Sequence, residues 1–194
     1  MRACLATTAL AVLLAACGGG DKPSFKNTDL TGASYGRDLK LTDHTGRART
    51  LADFRGKVVT VFFGFTRCPD VCPTTLAEMK DVLGRLGPDA ERVQVLFVTV
   101  DPERDSAELL AKYVTAFDPS FIGLRGDIRE TAAVAKEFKV FYEKRAGSTP
   151  QNYSVDHTAG TYVIDPQGRL RLFVRHQQSL DPLVADLKLL LAGK

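Results

Sequence analysis

The sequence predicts an α/β domain in which a mixed β-sheet is flanked by helices, with a β-hairpin extension on its N-terminal side. Three observations carry this. Residues 58–63 (VVTVFF) and 93–100 (VQVLFVTV) are nearly unbroken runs of β-branched and aromatic residues, as strands buried on both faces require. Between them, residues 74–86 place Leu76, Met79, Val82 and Leu83 on one helical stripe, so a crossover helix joins two parallel strands. Later, the apolar segments 160–164 and 170–174 are separated by Asp165-Pro166-Gln167-Gly168, a turn that folds them into an antiparallel hairpin.

The remaining elements follow in order. A hairpin is expected at 39–41 and 48–50, turned by Asp43-His44-Thr45-Gly46. Gly87-Pro88 closes the helix at 74–86. Asp105 or Ser106 is placed to cap a helix running to about residue 117, and capping is the plainer role for Asp105. A third helical pattern covers 128–138. Residues 140–143 and 153–155 read as short strands around a polar loop at 147–150. The helix at 180–191 begins at Ser179, with Asp181-Pro182 in its first turn. Hairpin, β, α, β, α, α, hairpin, α is similar to the thioredoxin-like order. No internal repeat or second linker divides it.

The N-terminus has a separate logic. Arg2 is followed by an apolar run over residues 3–14, shorter than the ~20 residues a helical membrane span needs. Leu14-Ala15-Ala16-Cys17 resembles the lipobox of bacterial lipoproteins, in which the cysteine is acylated and the preceding peptide removed. Residues 1–17 are therefore expected to be a lipoprotein signal peptide and lipobox ending at acylated Cys17. Residues 18–32 (GGGDKPSFKNTDLTG) are expected to be a flexible tether, and 33–194 the folded domain. The expected place is the periplasmic side of the cell envelope, lipid-anchored to a membrane. A hydrophobic content of 44% supports a core, and a formal charge of only +3, evenly spread, excludes a nucleic-acid surface.

Of four cysteines, Cys4 leaves with the signal and Cys17 takes lipid, leaving Cys68 and Cys72 in an oxidising compartment. They lie in Phe62-Phe63-Gly64-Phe65-Thr66-Arg67-Cys68-Pro69-Asp70-Val71-Cys72-Pro73, between a buried strand and a helix N-terminus. Ligands gather at strand carboxyl ends in such sheets, and a helix N-terminus favours the thiolate. Three residues intervene, where the usual redox pair has two; four positions make about one helical turn, so both sulfurs can face one point. Two thiolates suit Cu(I) or Zn and serve Mg or Ca poorly. A structural disulfide or two inert thiols is the plain alternative.

A third ligand must come from the histidines. His44, in a polar turn, and His176, in a polar run, read as surface residues. His157 sits between strand-like segments, where a core or turn role competes with ligation; Asp156 is a candidate to orient its ring. Arg67 is placed to stabilise a thiolate or to be solvated.

Three segments in this order, Cys68-Pro-Asp-Val-Cys72-Pro73, Val100-Asp101-Pro102-Glu103-Arg104-Asp105 and Asp156-His157-Thr158, resemble the Sco/SenC family, over about residues 38–191. The resemblance implies a thioredoxin-like fold and a metallochaperone role in delivering copper to the CuA centre during cytochrome c oxidase assembly. It implies Cys68, Cys72 and His157 as ligands of a copper ion, Cu(I) and also Cu(II). The implied partners are the CuA-bearing subunit II of the oxidase and a periplasmic copper donor. Many family members carry an N-terminal transmembrane helix where this chain shows a lipobox. Beyond the signal the one methionine is Met79, so methionine-rich copper capture is excluded.

An enzymatic reading remains beside it: a thiol–disulfide oxidoreductase acting on the cysteines of a copper-site partner, with Cys68 and Cys72 as the redox pair. A peroxidase reading is weaker, because its TxxC pattern is absent: Phe65 stands three before Cys68, and Thr66 only two before it. Asp101, Arg104 and Asp105 lie at a strand end and are not assigned as ligands.

Overall fold

The computed structural model describes residues 24–149, 152–176 and 178–194; the expected signal, the lipobox and Cys17 lie outside the described residues. The strands are β1 (Thr28–Asp29), β2 (Lys40–Asp43), β3 (Ala48–Thr50), β4 (Val58–Gly64), β5 (Val93–Thr99), β6 (Ile122–Arg125), β7 (Tyr142–Thr149), β8 (Asn152–His157), β9 (Gly160–Ile164) and β10 (Leu170–Arg175). The helices are α1 (Val71–Leu86), α2 (Ala107–Thr115), α3 (Ile128–Glu137) and α4 (Leu180–Leu191).

An eight-stranded sheet runs β1-β10-β9-β4-β5-β6-β2-β3. β4, β5 and β6 are parallel, and β9 lies antiparallel to both β4 and β10, which makes the sheet mixed as expected. Every residue of β4 and of β5 is buried, the reason both read as continuous apolar runs. α1 packs on α4, α2 on β6 and α3 on β2, completing the helix-flanked, thioredoxin-like arrangement. The N-terminal hairpin β2–β3 extends the sheet by pairing β2 with β6.

Several boundaries differ from expectation, each for a physical reason. β6 has no expected counterpart: Ile-Gly-Leu-Arg is too short and glycine-broken to show a period, and Gly123 is there because Leu110 of α2 lies 3.1 Å from where its Cβ would be. Helix α2 is capped by Ser106, whose side chain accepts from the Leu109 N–H; Asp105 is turned inward instead. α1 begins at Val71, three residues before the expected start at residue 74, so Cys72 lies inside its first turn. The short strands expected at 140–143 and 153–155 belong to one longer hairpin, β7–β8, in a sheet of its own.

The stretch expected as a tether is attached to the domain in its second half. β1 pairs with β10, Thr28 opposite Phe173. The backbone N–H groups of Lys26 and Asn27 and the Asn27 amide donate to the carboxylate of Asp186 at 2.8–3.0 Å. Asp186, on α4, has no exposed surface. Isolated polar spacing gives no warning of a buried carboxylate 160 residues away. Removing that acceptor leaves three donors without a partner, at ~1–3 kcal/mol each when buried, partly relieved by water. Asp186→Ala is therefore expected to lower the unfolding free energy by about 2–4 kcal/mol in urea titration; a change within about 0.5 kcal/mol would show that the clasp contributes nothing.

Candidate metal centre

β4 ends at Gly64, and the chain turns through Phe65, Thr66 and Arg67 to Cys68 before α1 starts. Cys68 is half-buried and Cys72 has no exposed surface. Gly64 is required by this packing: a Cβ there would lie 2.7 Å from the Cys72 Sγ and 2.9 Å from the Phe97 ring. Asp70, at the N-cap of α1, accepts no capping hydrogen bond from the helix backbone. The Cys68 sulfur takes that role, accepting the Cys72 N–H at 3.4 Å. The sulfur is thereby held at the positive end of α1.

His157 is the last residue of β8. Its ring stands edge-on to Phe62 and Phe65, with centroids at 5.9 and 6.0 Å, so two buried aromatics fix its plane. Nδ1 lies 3.1 Å from the Thr158 carbonyl oxygen, which can only accept; the proton is assigned to Nδ1, and Nε2 presents its lone pair. That Nε2 faces the Cys72 Sγ at 3.5 Å. Asp156 does not orient the ring: it points away and binds Arg145 at 2.7 Å, as adjacent strand residues alternate faces. One ligand atom from each of Cys68, Cys72 and His157 lies within 4.8 Å of the other two.

The electrostatics of the sulfurs are unequal. The Cys68 thiol is held down to about 4, first by a hydrogen bond from the Cys72 thiol, with the backbone N–H groups of Cys72 and Asp70 adding to it against the opposing effect of burial. Cys72 is pushed far up, because it donates to Cys68 and because it is buried. The metal-free pair thus holds a thiolate at the surface and a thiol beneath it, two soft sulfurs beside one imidazole nitrogen.

One loop braces both halves of the cluster. Asp105, without exposed surface, accepts the Thr66 N–H at 3.0 Å, the Thr66 hydroxyl at 2.6 Å and the Thr99 hydroxyl at 2.6 Å, holding the cysteine turn. Four residues earlier, buried Asp101 accepts the Tyr153 hydroxyl at 2.6 Å and pairs with Arg104. Arg104 donates to the Tyr153 carbonyl at 2.8 Å and lies 3.4 Å above the Tyr153 ring centroid, and Lys144 pairs with Glu103. These contacts hold the β7–β8 hairpin that carries His157. Residues 101–105 lie at a strand end in sequence, which carries no signal for their distant partners Thr66 and Tyr153, 39 and 52 residues away from Asp105 and Asp101.

The other histidines are not solvated surface groups. His44 Nδ1 accepts the Gly123 N–H at 3.0 Å, tying the β2–β3 turn to β6. His176 Nδ1 lies 3.2 Å from the Thr75 hydroxyl on α1. Neither belongs to the cluster of metal-ligand atoms. Arg67 is exposed.

Two measurements check this geometry. The thiolate absorbance of the reduced protein should persist as pH falls from 8 and vanish near 4; a single transition above 8 would refute the Cys72-to-Cys68 hydrogen bond. Arg104→Ala, which removes the stacking and the pairing on Tyr153, should broaden the His157 ring resonances and weaken metal binding about tenfold while the unfolding transition stays cooperative. Unchanged affinity would mean that the hairpin is held by other contacts.

The sequence profile of the SCO1/SenC family matches residues 27–192. The chain is 43% identical over 133 residues to the human mitochondrial protein SCO2 homolog, an alignment covering 68% of this chain and 50% of that one. It is similar to the solved apo Sco1 protein of Thermus thermophilus, with TM-score 0.77 and 45% identity over 88% of this chain and 99% of that one. It is also similar to Bradyrhizobium japonicum ScoI, solved with copper bound, with TM-score 0.71 and 40% identity over 80% of this chain and 98% of that one. The chain spans 50–60% of the length of the curated relatives it matches first. The two motif cysteines and the motif histidine, separate in sequence, are folded to one place within the matched span, and the chain belongs to the SCO1/SenC family.

Proposed function

We propose that this protein is a copper metallochaperone that carries the ion on Cys68, Cys72 and His157 and hands it to the CuA centre of cytochrome c oxidase subunit II during assembly. The observation that carries the reading is the convergence of two cysteine sulfurs and an imidazole nitrogen, with their atoms within 4.8 Å of one another. The donor set is soft and small, which suits Cu(I), and the imidazole also admits Cu(II). A site with three protein ligands leaves room for an incoming ligand from a partner, so transfer can proceed by exchange of one ligand at a time. The copper-bound ScoI relative supports the choice of metal.

The metal is cargo, and the protein's own part is to present ligands and manage protons. Cys68 offers a thiolate at once; Cys72 gives up its proton as copper enters, and the bare Nε2 of His157 needs no deprotonation. The expected anchor at Cys17 would keep the domain on the periplasmic face of a membrane, within reach of a membrane-bound oxidase. Among the described residues no helix is long and apolar enough to cross a membrane.

One observation favours a second activity at the same site. A half-buried thiolate above a fully buried thiol is the asymmetry of a disulfide reductase. The Cys68 thiolate would attack one sulfur of a partner disulfide, releasing the other as a thiolate and forming a mixed disulfide. Cys72, losing its proton to the released thiolate, would then attack Cys68, freeing the partner's second sulfur. The partner gains two electrons and the Cys68–Cys72 pair is oxidised.

Cys68→Ala, Cys72→Ala and His157→Ala are each expected to weaken copper binding at least a hundredfold in competition with a chelator of known affinity, since each removes one of three ligands. Retention of parental Cu(I) and Cu(II) affinity by His157→Ala would end the three-ligand reading and leave a dithiol redox module. Trapping of a mixed disulfide by Cys72→Ala, with His157→Ala still active, would establish the reductase.

A further inference from the structure

A cleft of about 730 Å³ lies away from the cysteines, between residues 31–37 and the β9–β10 turn. Five basic side chains line it, Arg37, Arg55, Arg169, Arg171 and Lys194, and no acidic side chain does. Two of the arginines are fixed from behind by buried Asp165, which pairs with Arg169 at 2.7 Å and Arg171 at 3.2 Å. Arg171 is itself buried, and donates to the Thr31 hydroxyl at 2.9 Å and to a main-chain carboxylate oxygen of Lys194 at 3.1 Å. Arg55 donates to the Gln167 carbonyl, and Arg37 to the Ala33 carbonyl at 3.0 Å. These bonds anchor one side of each guanidinium to a carbonyl, hydroxyl or carboxylate on the wall. The Asp165 carboxylate and the main-chain carboxylate of Lys194 stand against five cations, which leaves a local excess of positive charge in a chain whose formal charge is only +3.

Planar guanidinium groups held around a concave surface match the oxygens of a phosphate group. The location narrows the source. Arg171 lies 5.1 Å from the Phe25 ring centroid, and Phe25 is eight residues after Cys17. Whatever path those residues take, the cleft wall is within ~28 Å of chain from the expected lipid. We propose that this cleft is a phosphate site for the headgroup of an anionic phospholipid, which seats the domain on the membrane in a fixed orientation; the proposal rests on the reading of Cys17 as the anchor. Lipid attachment alone holds a domain near a bilayer without orienting it, and a basic surface beside the attachment point supplies the second contact. The cleft and the cysteine pair share no residue, so occupation of one leaves the other open to a partner.

The test uses the full chain carrying Cys17→Ser, which cannot be acylated, so that vesicle binding reports the cleft and not the lipid. Vesicles of phosphatidylcholine alone and of phosphatidylcholine with phosphatidylglycerol are compared by co-sedimentation. The parent is expected to prefer the anionic vesicles by at least about tenfold at low salt, a preference falling as salt rises. Arg37→Glu/Arg55→Glu should abolish the preference and Arg37→Lys/Arg55→Lys should retain most of it, with urea unfolding midpoints checking that both fold. Equal anionic preference in the parent and the glutamate variant would overturn the proposal. Saturable binding of inorganic phosphate without any vesicle preference would also overturn it, and assign the cleft to a soluble phosphate. Mass spectrometry of the wild-type chain taken from membranes, showing no acyl group while the vesicle result stands, would end the Cys17 reading and leave the cleft in place.

Discussion

The carboxylate of Asp105 is the point at which the metal centre is tied to the fold. It has no exposed surface and accepts from the cysteine turn through Thr66 and from the end of β5 through Thr99. Burial pushes its acidity in the unfavourable direction, raising its pKa, and the hydrogen bonds from Thr66 and Thr99 oppose that. One turn earlier, Asp101 and Arg104 grip Tyr153 of the histidine hairpin. A five-residue stretch thus fixes the separation between sulfur and nitrogen donors that the chain itself leaves 85 residues apart. Without it the donors would need to be ordered by the metal, at an entropic cost that lowers affinity.

The two sulfurs are set apart by the start of α1. Because Asp70 leaves the helix end uncapped from its side chain, the Cys68 sulfur fills the position, and the same contact that satisfies the helix stabilises the thiolate. Cys72, one turn on, faces the core through the gap left by Gly64. Structural and chemical demands coincide here: helix capping needs an acceptor, and a soft-metal site needs an ionised sulfur.

Much of this was legible in the sequence, and the limits have physical causes. The buried strands β4 and β5, the β9–β10 hairpin and α4 declare themselves through unbroken apolar runs and turn chemistry. β6 does not, because four residues with a glycine carry no period. The cysteines were identifiable as a functional pair from their placement after β4. The surroundings of His157 in sequence do not single it out as a candidate ligand, since the phenylalanine edges and the Thr158 carbonyl that orient it are tertiary; the motif resemblance does. Sequence leaves Asp105 and Ser106 both open as the cap of α2, with a carboxylate before a helix the plainer choice, and the folded chain gives the role to Ser106. His44 and His176 looked solvated because polar neighbours in sequence say nothing of a β6 amide or an α1 hydroxyl in space.

The hairpin β7–β8 forms its own two-stranded sheet and shares no ladder with the other eight strands. Its displacement would therefore sacrifice side-chain contacts to residues 101–105 while every rung of the main sheet survives. The sulfurs, by contrast, sit on α1 and the turn before it, Cys72 in the core and Cys68 half-buried above it. The candidate centre accordingly draws its nitrogen from a strand outside the main sheet and its sulfurs from the crossover that follows β4.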